Sequence, residues 1–477
     1  MSETESAGTF QSKAKDVFGE VCIDKGLFLK SGMLSRSIPT FVAEWILDKF
    51  CPTGQFGDES LDKINDFISQ HLPRKEDKEA IKNRLMNGEA LTILDQFSVS
   101  VDLKSNTLRL KIPSIDEDGF IERFLVDRYQ NLLGGGIWGA GKLTYHPPDL
   151  DSQRSMGEVW LNDFKPMQVA QLDIDYYCEQ RCHFTLNEWR ELLVNSMGYN
   201  PRAYSPQKQL WLLTRLLPIV EPRVNLIELA PKGTGKSFVY QNLSKYTRVV
   251  SGGKISAPVL FYNLQSNTPG LLTQYDLVVF DEAQTISFDN PGEVIGVLKD
   301  YLESGRYTRG RQQATADAGL VLLANVPIAS SGRPREQILF HSLPAFLQET
   351  AFIDRLHGIL PGWDLPRITT NSPAHGTGFK ADFFAEVLHS LRERGGYSEY
   401  VQAHLKIVGT DDMRDKRAID RLATGYLKLL FPDLNLDTDE FYKYCALPSV
   451  TLRQAIRDQL CRMDSEYKQE SIAAEVV

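Results

Sequence analysis

Cysteine is scarce in this sequence, with six residues in a chain of 477. So few cysteines, spread so widely, suit a reducing compartment and provide no disulfide framework. Cys178 and Cys182, followed by His183, could form half of a metal site. No second pair of ligands stands at zinc spacing, so we prefer the interpretation that the two cysteines share one face of a helix.

Long apolar runs and targeting signals are also missing. The most apolar stretch, residues 210–220, contains Arg215 and Pro218 and is too short to span a bilayer. The N-terminus lacks the basic-then-apolar pattern of a signal peptide. We therefore expect a soluble, cytoplasmic protein that has no membrane partner.

Positive charge is in the minority, because 53 lysines and arginines face 62 aspartates and glutamates, for a net charge of −9. That balance excludes a protein coated all over in basic charge. It does not exclude nucleic-acid binding, because a channel needs only local positive charge. The hydrophobic share of 42% is enough for a core, and the chain length predicts about three domains.

Hydrophobic patterning divides the chain into three parts, which we take as residues 1–195, 196–372 and 373–477. The first part mixes helical periodicity with two alternating strands, which predicts an α+β domain. Its predicted helices cover residues 39–50, 61–72, 76–86 and 185–197, and its predicted strands cover 96–103 and 107–112. Thr185 and Glu188 would begin the last of these helices, and residues 104–106 would join the two strands as a hairpin.

The other two parts have different patterns. In the middle part, short apolar strands alternate with helices, which predicts a parallel, doubly wound α/β sheet. The predicted strands cover residues 224–229, 248–250, 277–280 and 320–324. After about residue 370 the strand pattern stops, and helices are expected at residues 379–394, 414–431, 438–444 and 450–463.

One loop has the pattern of a phosphate-binding P-loop, and it stands between a predicted strand and a predicted helix. Its residues are Ala230, Pro231, Lys232, Gly233, Thr234, Gly235, Lys236 and Ser237. Glycines let the backbone wrap phosphates, and the amides at the start of the helix favour negative charge. Lys236 would reach the β- and γ-phosphates of ATP, and the Ser237 hydroxyl would bind Mg²⁺. Ala230 replaces the first glycine of the pattern, a variation that we regard as tolerated.

A second motif is an apolar strand that ends in two acids, Asp281 and Glu282. The carboxyl ends of parallel strands are where such sheets bind ligands. Asp281 would hold Mg²⁺, and Glu282 would orient and polarise the attacking water. On its own an acidic pair in this position often only caps the next helix, but together with the P-loop it favours catalysis.

Two further polar positions have competing interpretations. Asn325 ends the next predicted strand, where its amide could position the same water, although it could also simply form a turn before Pro327. Arg355 could reach the nucleotide of a neighbouring subunit as an arginine finger. The alternative is a purely structural ion pair between Asp354 and Arg355, and the residues alone do not decide between the two.

The order of these motifs resembles an AAA+ ATPase and, more closely, the BrxL family, the Lon-related component of BREX phage-defence systems. The similarity covers nearly the whole chain. Besides the ATPase motifs it rests on Gly135-Gly136-Ile137-Trp138, Phe184-Thr185 with Glu188-Trp189, Ser251-Gly252-Gly253, Arg309-Gly310, Leu360-Pro361-Gly362-Trp363 and Arg414-Asp415.

This resemblance implies a homo-oligomeric ring, hexamer-like and similar to replicative MCM helicases, with double-stranded DNA in the central channel. Residues 196–372 would be the AAA+ core and residues 373–477 its helical lid, and other phage-defence proteins would be further partners. Lys236, Ser237, Asp281 and Glu282 carry over as catalytic. Asn325 becomes sensor 1, Arg355 the finger and Arg414 the sensor 2 candidate, with Arg417 as its rival.

In such a ring, the basic segment 299–311 would project into the channel. It contains four basic and two acidic residues, and Gly305 and Gly310 indicate a hairpin or loop. We expect Arg306, Arg309 and Arg311 to contact DNA phosphates without reading sequence. The alternative is a solvated loop.

Longer members of the family append a Lon-like protease domain with a Ser-Lys dyad. This chain ends at Val477, about where that domain would begin, and its C-terminal part has no Gly-rich Ser motif followed by a suitable Lys. We therefore expect no peptidase activity in this chain. A protein-remodelling ATPase that regulates a partner protease or nuclease is the alternative function. Unfoldases usually present an aromatic-hydrophobic pore loop, whereas this loop is rich in arginine around Tyr307, which favours DNA.

Overall fold

A computed structural model describes residues 9–31, 38–51, 57–103, 106–133, 136–149, 156–167, 172–265 and 268–477. The chain divides into two compact units, one formed by Leu27–Leu172 and the other by Asp173–Val477 with the described residues up to Gly26. Within the described residues, no helix is both long and apolar enough to cross a membrane.

The Leu27–Leu172 unit contains a closed barrel of five strands. In barrel order the strands are Leu91–Asp102, Thr107–Ile112, Glu117–Ile121, Glu158–Pro166 and Ile137–His146. Helices Thr40–Phe50, Asp58–His71 and Lys78–Met86 precede the barrel and confirm the three predicted for this segment. Alternate side chains point inward, so Phe97, Leu110, Leu143 and Leu161 form its core.

The predicted hairpin in this unit connects two strands that do pair. Val101 lies opposite Leu108 in an antiparallel register, although Lys104 and Ser105 of the turn lie outside the described residues. The first strand begins at Leu91, five residues before the predicted start at 96. Gly139 is required across the barrel, because a Cβ atom there would lie 2.4 Å from the Phe164 ring.

The larger unit is built on a sheet of five parallel strands. From one edge to the other, they are Gly358–Pro361, the P-loop strand Asn225–Ala230, the Asn325 strand Gly319–Asn325, the Asp-Glu strand Leu277–Asp281 and Thr247–Ser251. The three central strands are almost wholly buried, as their continuous apolar runs predict. The four predicted strands are confirmed, each to within a residue or so at either end.

The edge strand Gly358–Pro361 was not predicted. It is only four residues long and has glycine and proline at its ends, so it is too short to show the two-residue periodicity that predicts a strand. Tertiary pairing creates it, because Gly358 lies beside Leu226 of the P-loop strand.

Helices dominate the C-terminal part, at Ala381–Glu393, Tyr397–His404, Met413–Leu430, Thr438–Phe441 and Leu447–Met463. The expectation that strands stop after about residue 370 is wrong. Thr377–Phe379 pairs with Cys22–Asp24, and Leu405–Val408 pairs with Ala473–Val476. These strands are too short to show a period, and each finds its partner far away in the chain.

Thr185 begins helix Leu186–Ser196 as predicted. The Glu188 amide donates to the Thr185 hydroxyl at 3.3 Å, and the Thr185 amide donates to the Glu188 carboxylate at 2.8 Å. Cys178 lies buried in helix Ile174–Gln180, whereas Cys182 is exposed in the following turn. In the described part of the chain, no group of three or more histidine, cysteine or acidic side chains could hold a metal ion.

Candidate nucleotide-binding site

The P-loop leaves the carboxyl end of a buried strand and enters helix Lys236–Asn242. Gly233 and Gly235 have φ angles of 84° and 72°, a left-handed conformation that glycine adopts without steric cost. A Cβ atom on Gly233 would meet nothing within 4 Å, so this side of the loop is open. The turn that wraps phosphates in P-loop proteins therefore has the local geometry it needs.

Lys236 connects the P-loop to the Asn325 strand. Its Nζ donates to Oδ1 of Asn325 at 2.6 Å, and the residue is only 8% exposed. Burial lowers the pKa of the Lys236 ammonium, and the nearby carboxylates of Glu228, Asp281 and Glu282 oppose that shift. The two strand ends also lie side by side, since Ala230 is the register partner of Asn325.

The acidic pair stands at the same edge of the sheet. Asp281 is buried, and its Oδ1 accepts from the Glu282 amide at 2.9 Å. Glu282 has a φ of 53°, unusual for a residue with a side chain, and its side chain is exposed. Gln284 follows, and its Oε1 accepts from the Asn325 amide at 3.3 Å. The carboxyl edge of the sheet thus gathers a lysine, two carboxylates and an amide around the P-loop.

This donor set fits a nucleoside triphosphate with Mg²⁺. The open loop presents backbone amides beside a lysine ammonium, which suits phosphate oxygens. The Ser237 hydroxyl and the Asp281 carboxylate are oxygen ligands, which Mg²⁺ prefers. Nζ of Lys236 carries three protons, so it can bond Asn325 and still donate to a phosphate.

Beneath the loop lies a buried polar network that the sequence analysis missed. Arg215 and Glu228 are 0% and 1% exposed at their side chains and form a two-point ion pair at 3.0 and 2.7 Å. The Arg215 guanidinium also donates to the Tyr199 hydroxyl at 2.8 Å. That hydroxyl in turn donates to the Gly235 carbonyl at 2.8 Å.

We call Tyr199, Arg215 and Glu228 the P-loop brace. Burial raises the pKa of Tyr199 to about 12, so its hydroxyl stays protonated and remains a donor to the loop. In the sequence, Arg215 only interrupted an apolar stretch, and Glu228 only interrupted an apolar strand. A charged residue inside a segment that must be buried needs a partner of opposite charge. That pattern was the signal in the sequence from which the ion pair could have been predicted.

Arg355 and Arg414 lie elsewhere. His357 lies at the edge of the sheet where the strands begin, which we call the amino edge, because its amide donates to the Asn225 carbonyl at 2.7 Å. Arg355 precedes it by two residues, and Arg414 binds the neighbouring Asp354 at 2.8 Å. The P-loop strand runs from this amino edge to the carboxyl edge. At about 3.3 Å per residue its length is about 17 Å, which is the separation of the two edges.

The two arginines share one carboxylate. Nε of Arg414 donates to Oε2 of Glu303 at 3.0 Å, and Nε of Arg355 lies 3.3 Å from the same oxygen as an ion pair without a hydrogen bond. Arg417, the alternative sensor 2 residue, is 65% exposed and reaches the same carboxylate at 3.9 Å. All of them line one open cleft. The alternative interpretation, an ion pair between Asp354 and Arg355, is wrong, because Asp354 pairs with Arg414 and Arg453 and Arg355 pairs with Glu303.

The basic segment forms a β-hairpin at the amino edge. Helix Pro291–Ser304 ends at Gly305, and strands Arg306–Arg309 and Gln312–Thr315 follow. Arg306 and Arg311 are exposed, whereas Arg309 donates to the Tyr262 carbonyl. Tyr307 is buried, and its hydroxyl donates to the Phe261 carbonyl at 2.8 Å.

Comparison with known proteins gives two family matches. The model for the ATPase domain of Lon-like protease BrxL-like proteins matches residues 159–473. The model for the N-terminal domain of the BREX system Lon protease-like protein BrxL matches residues 16–145.

Two curated relatives are named Lon-like protease BrxL. This chain is 29% identical over 432 residues to the one from Bacillus cereus (strain H3081.97) and 28% identical over 439 residues to the one from Escherichia coli O9:H4 (strain HS). The alignments cover 89% and 91% of this chain but only 63% and 62% of the relatives, so the chain spans less than two thirds of their length. Because the ATPase model alone covers more than half of the chain, the protein belongs to the BrxL family of BREX phage-defence systems and contains that family's ATPase domain.

Proposed function

We propose that this chain is a subunit of a ring-forming AAA+ ATPase that holds double-stranded DNA in a central channel. It would couple ATP hydrolysis to DNA binding or translocation in phage defence. The observation that carries the proposal is the division of the candidate residues between two edges of one sheet. Lys236, Asp281, Glu282 and Asn325 gather at the carboxyl edge, whereas the arginines lie at the amino edge.

At the carboxyl edge the side chains divide the work of phosphate binding, metal binding and water activation. Backbone amides of the loop and Lys236 bind the phosphates, and Ser237 and Asp281 would hold Mg²⁺. When bound, Mg²⁺ neutralises charge on the phosphate oxygens. Glu282 orients the attacking water and accepts its proton, which its exposed position allows. Asn325 positions the same water while its Oδ1 keeps Lys236 in place.

The arginines support a ring. Arg355 and Arg414 lie near the amino edge, and the P-loop strand that separates this edge from the P-loop of the same chain is about 17 Å long at about 3.3 Å per residue, too far for a side chain to reach a phosphate there. A neighbouring subunit that presents its P-loop to the amino edge would bring both arginines to one γ-phosphate. In this arrangement Arg355 is the finger, Arg414 serves beside it as sensor 2, and each active site is shared by two chains.

The hairpin supports DNA as the channel ligand. Arg306 and Arg311 are exposed on it, and guanidinium groups bind phosphates in any sequence. A protein-remodelling pore would be expected to expose an aromatic side chain, yet Tyr307 is buried. The chain divisions at residues 195 and 372, the hexamer-like ring, the partnership with other phage-defence proteins and the absence of peptidase activity stay predictions.

Replacing Glu282 with Gln should leave ATP bound but almost unhydrolysed, because an amide cannot accept the proton of the attacking water. The loss in rate should be on the order of 10²- to 10⁴-fold. Single-turnover hydrolysis and nucleotide affinity measure the two effects. Glu293→Gln, which changes an exposed carboxylate on the following helix, is the control. Normal turnover by Glu282→Gln would refute its assignment.

Replacing Arg355 with Ala should reduce hydrolysis on the order of 10³-fold or more while the ATP affinity of isolated subunits stays close to normal. Lys236→Ala should also be inactive, because the phosphates lose their lysine. Mixing the two inactive variants should restore some activity, since one supplies an intact P-loop and the other an intact arginine. No rescue at any mixing ratio would contradict a finger that acts across subunits.

Replacing Arg306 and Arg311 together with Ala should weaken DNA binding uniformly across sequences. The slope of log affinity against log salt should fall by about two, one for each lost phosphate contact. A control that removes the exposed Lys406 and Lys468 also takes away two charges and should leave the slope unchanged. Equal slopes for the wild type and the double arginine variant would place the DNA contact elsewhere.

Replacing Tyr199 with Phe should weaken ATP binding about three- to tenfold, because the Gly235 carbonyl loses its donor. The maximal rate should change less than the KM for ATP. Tyr426→Phe is the matched control, since the Tyr426 hydroxyl is also buried and bonds Thr214 next to Arg215 at 2.5 Å. If both variants bind ATP equally well, the brace does not shape the loop.

A further inference from the structure

We propose that Glu303 is a positioning residue that couples the DNA hairpin to the two arginines of the neighbouring active site. The inference rests on the proposed function and specifies how DNA would regulate it. Its basis is that one carboxylate binds both arginines and belongs to the helix that leads into the hairpin.

The first observation is the shared carboxylate. Arg355 comes from the segment before strand Gly358–Pro361, and Arg414 comes from helix Met413–Leu430. Both Nε atoms form ion pairs with the same oxygen of Glu303, at 3.3 Å from Arg355 and 3.0 Å from Arg414, and the Arg414 contact is also a hydrogen bond. Any displacement of this oxygen therefore changes the electrostatic environment of both guanidinium groups at once.

The second observation is the short path from Glu303 to the hairpin. Glu303 is the penultimate residue of helix Pro291–Ser304, and Arg306 begins the first hairpin strand only three residues later. Gly305 caps the helix with a φ of 74°, and its carbonyl accepts from the Ala316 amide at 2.9 Å, closing the base of the hairpin. Arg223 also donates to the Ser304 carbonyl at 3.0 Å. The helix end and the hairpin base are thus one hydrogen-bonded unit.

The third observation is an asymmetry in how the arginines are held. Arg414 keeps a second carboxylate, Asp354, which is fixed by a buried ion pair with Arg453 at 2.9 Å. Arg355 has its other contact with the Ala351 carbonyl at 2.5 Å. A backbone carbonyl holds a guanidinium less strongly than a carboxylate does. Movement of Glu303 should therefore change the orientation of Arg355 more than that of Arg414.

These contacts give DNA a route to the catalytic rate. Phosphates that draw Arg306 and Arg311 toward the channel displace the hairpin base and with it the Glu303 carboxylate. The orientation of the two arginines toward the neighbouring nucleotide then changes, because the Glu303 carboxylate that they share has a different position with DNA and without it. A ligand can shift such an equilibrium only through contacts that differ between the two states, and the hairpin supplies them.

Glu303→Gln tests the coupling in the assembled full-length chain. The amide keeps the size of the side chain but removes the charge that both arginines bind. We measure ATP hydrolysis with and without duplex DNA, together with the affinities for ATP and DNA. The factor by which DNA changes the rate should fall by about fivefold, while both affinities stay within about twofold of the wild type. An unchanged factor would overturn the proposal.

Two further variants exclude a merely structural effect. Glu349 forms a partly exposed ion pair, at 2.7 Å, with Lys299, which lies on the same helix as Glu303. Glu349→Gln removes this ion pair, and the variant should keep the full response to DNA. Glu303→Asp keeps the charge on a shorter side chain and should recover part of the response. Equal loss in Glu303→Gln and Glu349→Gln would overturn the proposal, because helix stability would then explain both.

Mixing Glu303→Gln with Lys236→Ala subunits locates the effect. Lys236→Ala subunits carry an intact Glu303 beside their arginines, so they should restore the DNA response at the P-loop of a Glu303→Gln neighbour. Failure to restore it would overturn the route through the arginines. If duplex DNA did not change the hydrolysis rate of the wild type, the DNA function itself would be refuted. If DNA changed the rate of the wild type and of Glu303→Gln equally, only the coupling through Glu303 would be refuted.

Discussion

The rest of the structure depends on the common direction of the five strands in the parallel sheet. Because all strands run the same way, every side chain that ends a strand lies at one edge and every side chain that precedes a strand lies at the other. Lys236, Asp281 and Asn325 are therefore neighbours although they are far apart in the sequence. For the same reason Arg355 is kept away from them. In the proposed mechanism, a site that needs both edges is completed by a second chain.

Two buried ionic networks hold these edges in shape. Arg215 and Glu228 lie under the P-loop, and Arg453 joins Asp354 and Asp415 behind the arginine cleft. Removing charges from water is costly, and apolar residues of similar size often stabilise a fold as well or better. The ionic networks instead fix the orientation of side chains, since a guanidinium in a two-point contact holds its partner in one geometry. Each network ends on a group that the proposed mechanism requires to be in place.

The sequence predicted what is encoded locally. The P-loop, the Asp-Glu strand and the capping of helix Leu186–Ser196 each depend on residues close together in the chain, and their elements are found where expected. The P-loop brace and the meeting of Arg355 with Arg414 on Glu303 were not predicted, because those contacts arise only when distant segments pack. Short strands such as Gly358–Pro361 were missed for the same reason: partners, not periodicity, create them.

The central claim is that one active site is built from two chains. A structure of the assembled particle with a slowly hydrolysed ATP analogue, Mg²⁺ and duplex DNA tests it most directly. The account predicts the Arg355 guanidinium within hydrogen-bond distance of the γ-phosphate bound by Lys236 of the neighbouring subunit, with Arg306 and Arg311 facing DNA phosphates. An Arg355 that contacts the nucleotide of its own chain, or an amino edge that faces solvent in the assembled particle, would contradict it.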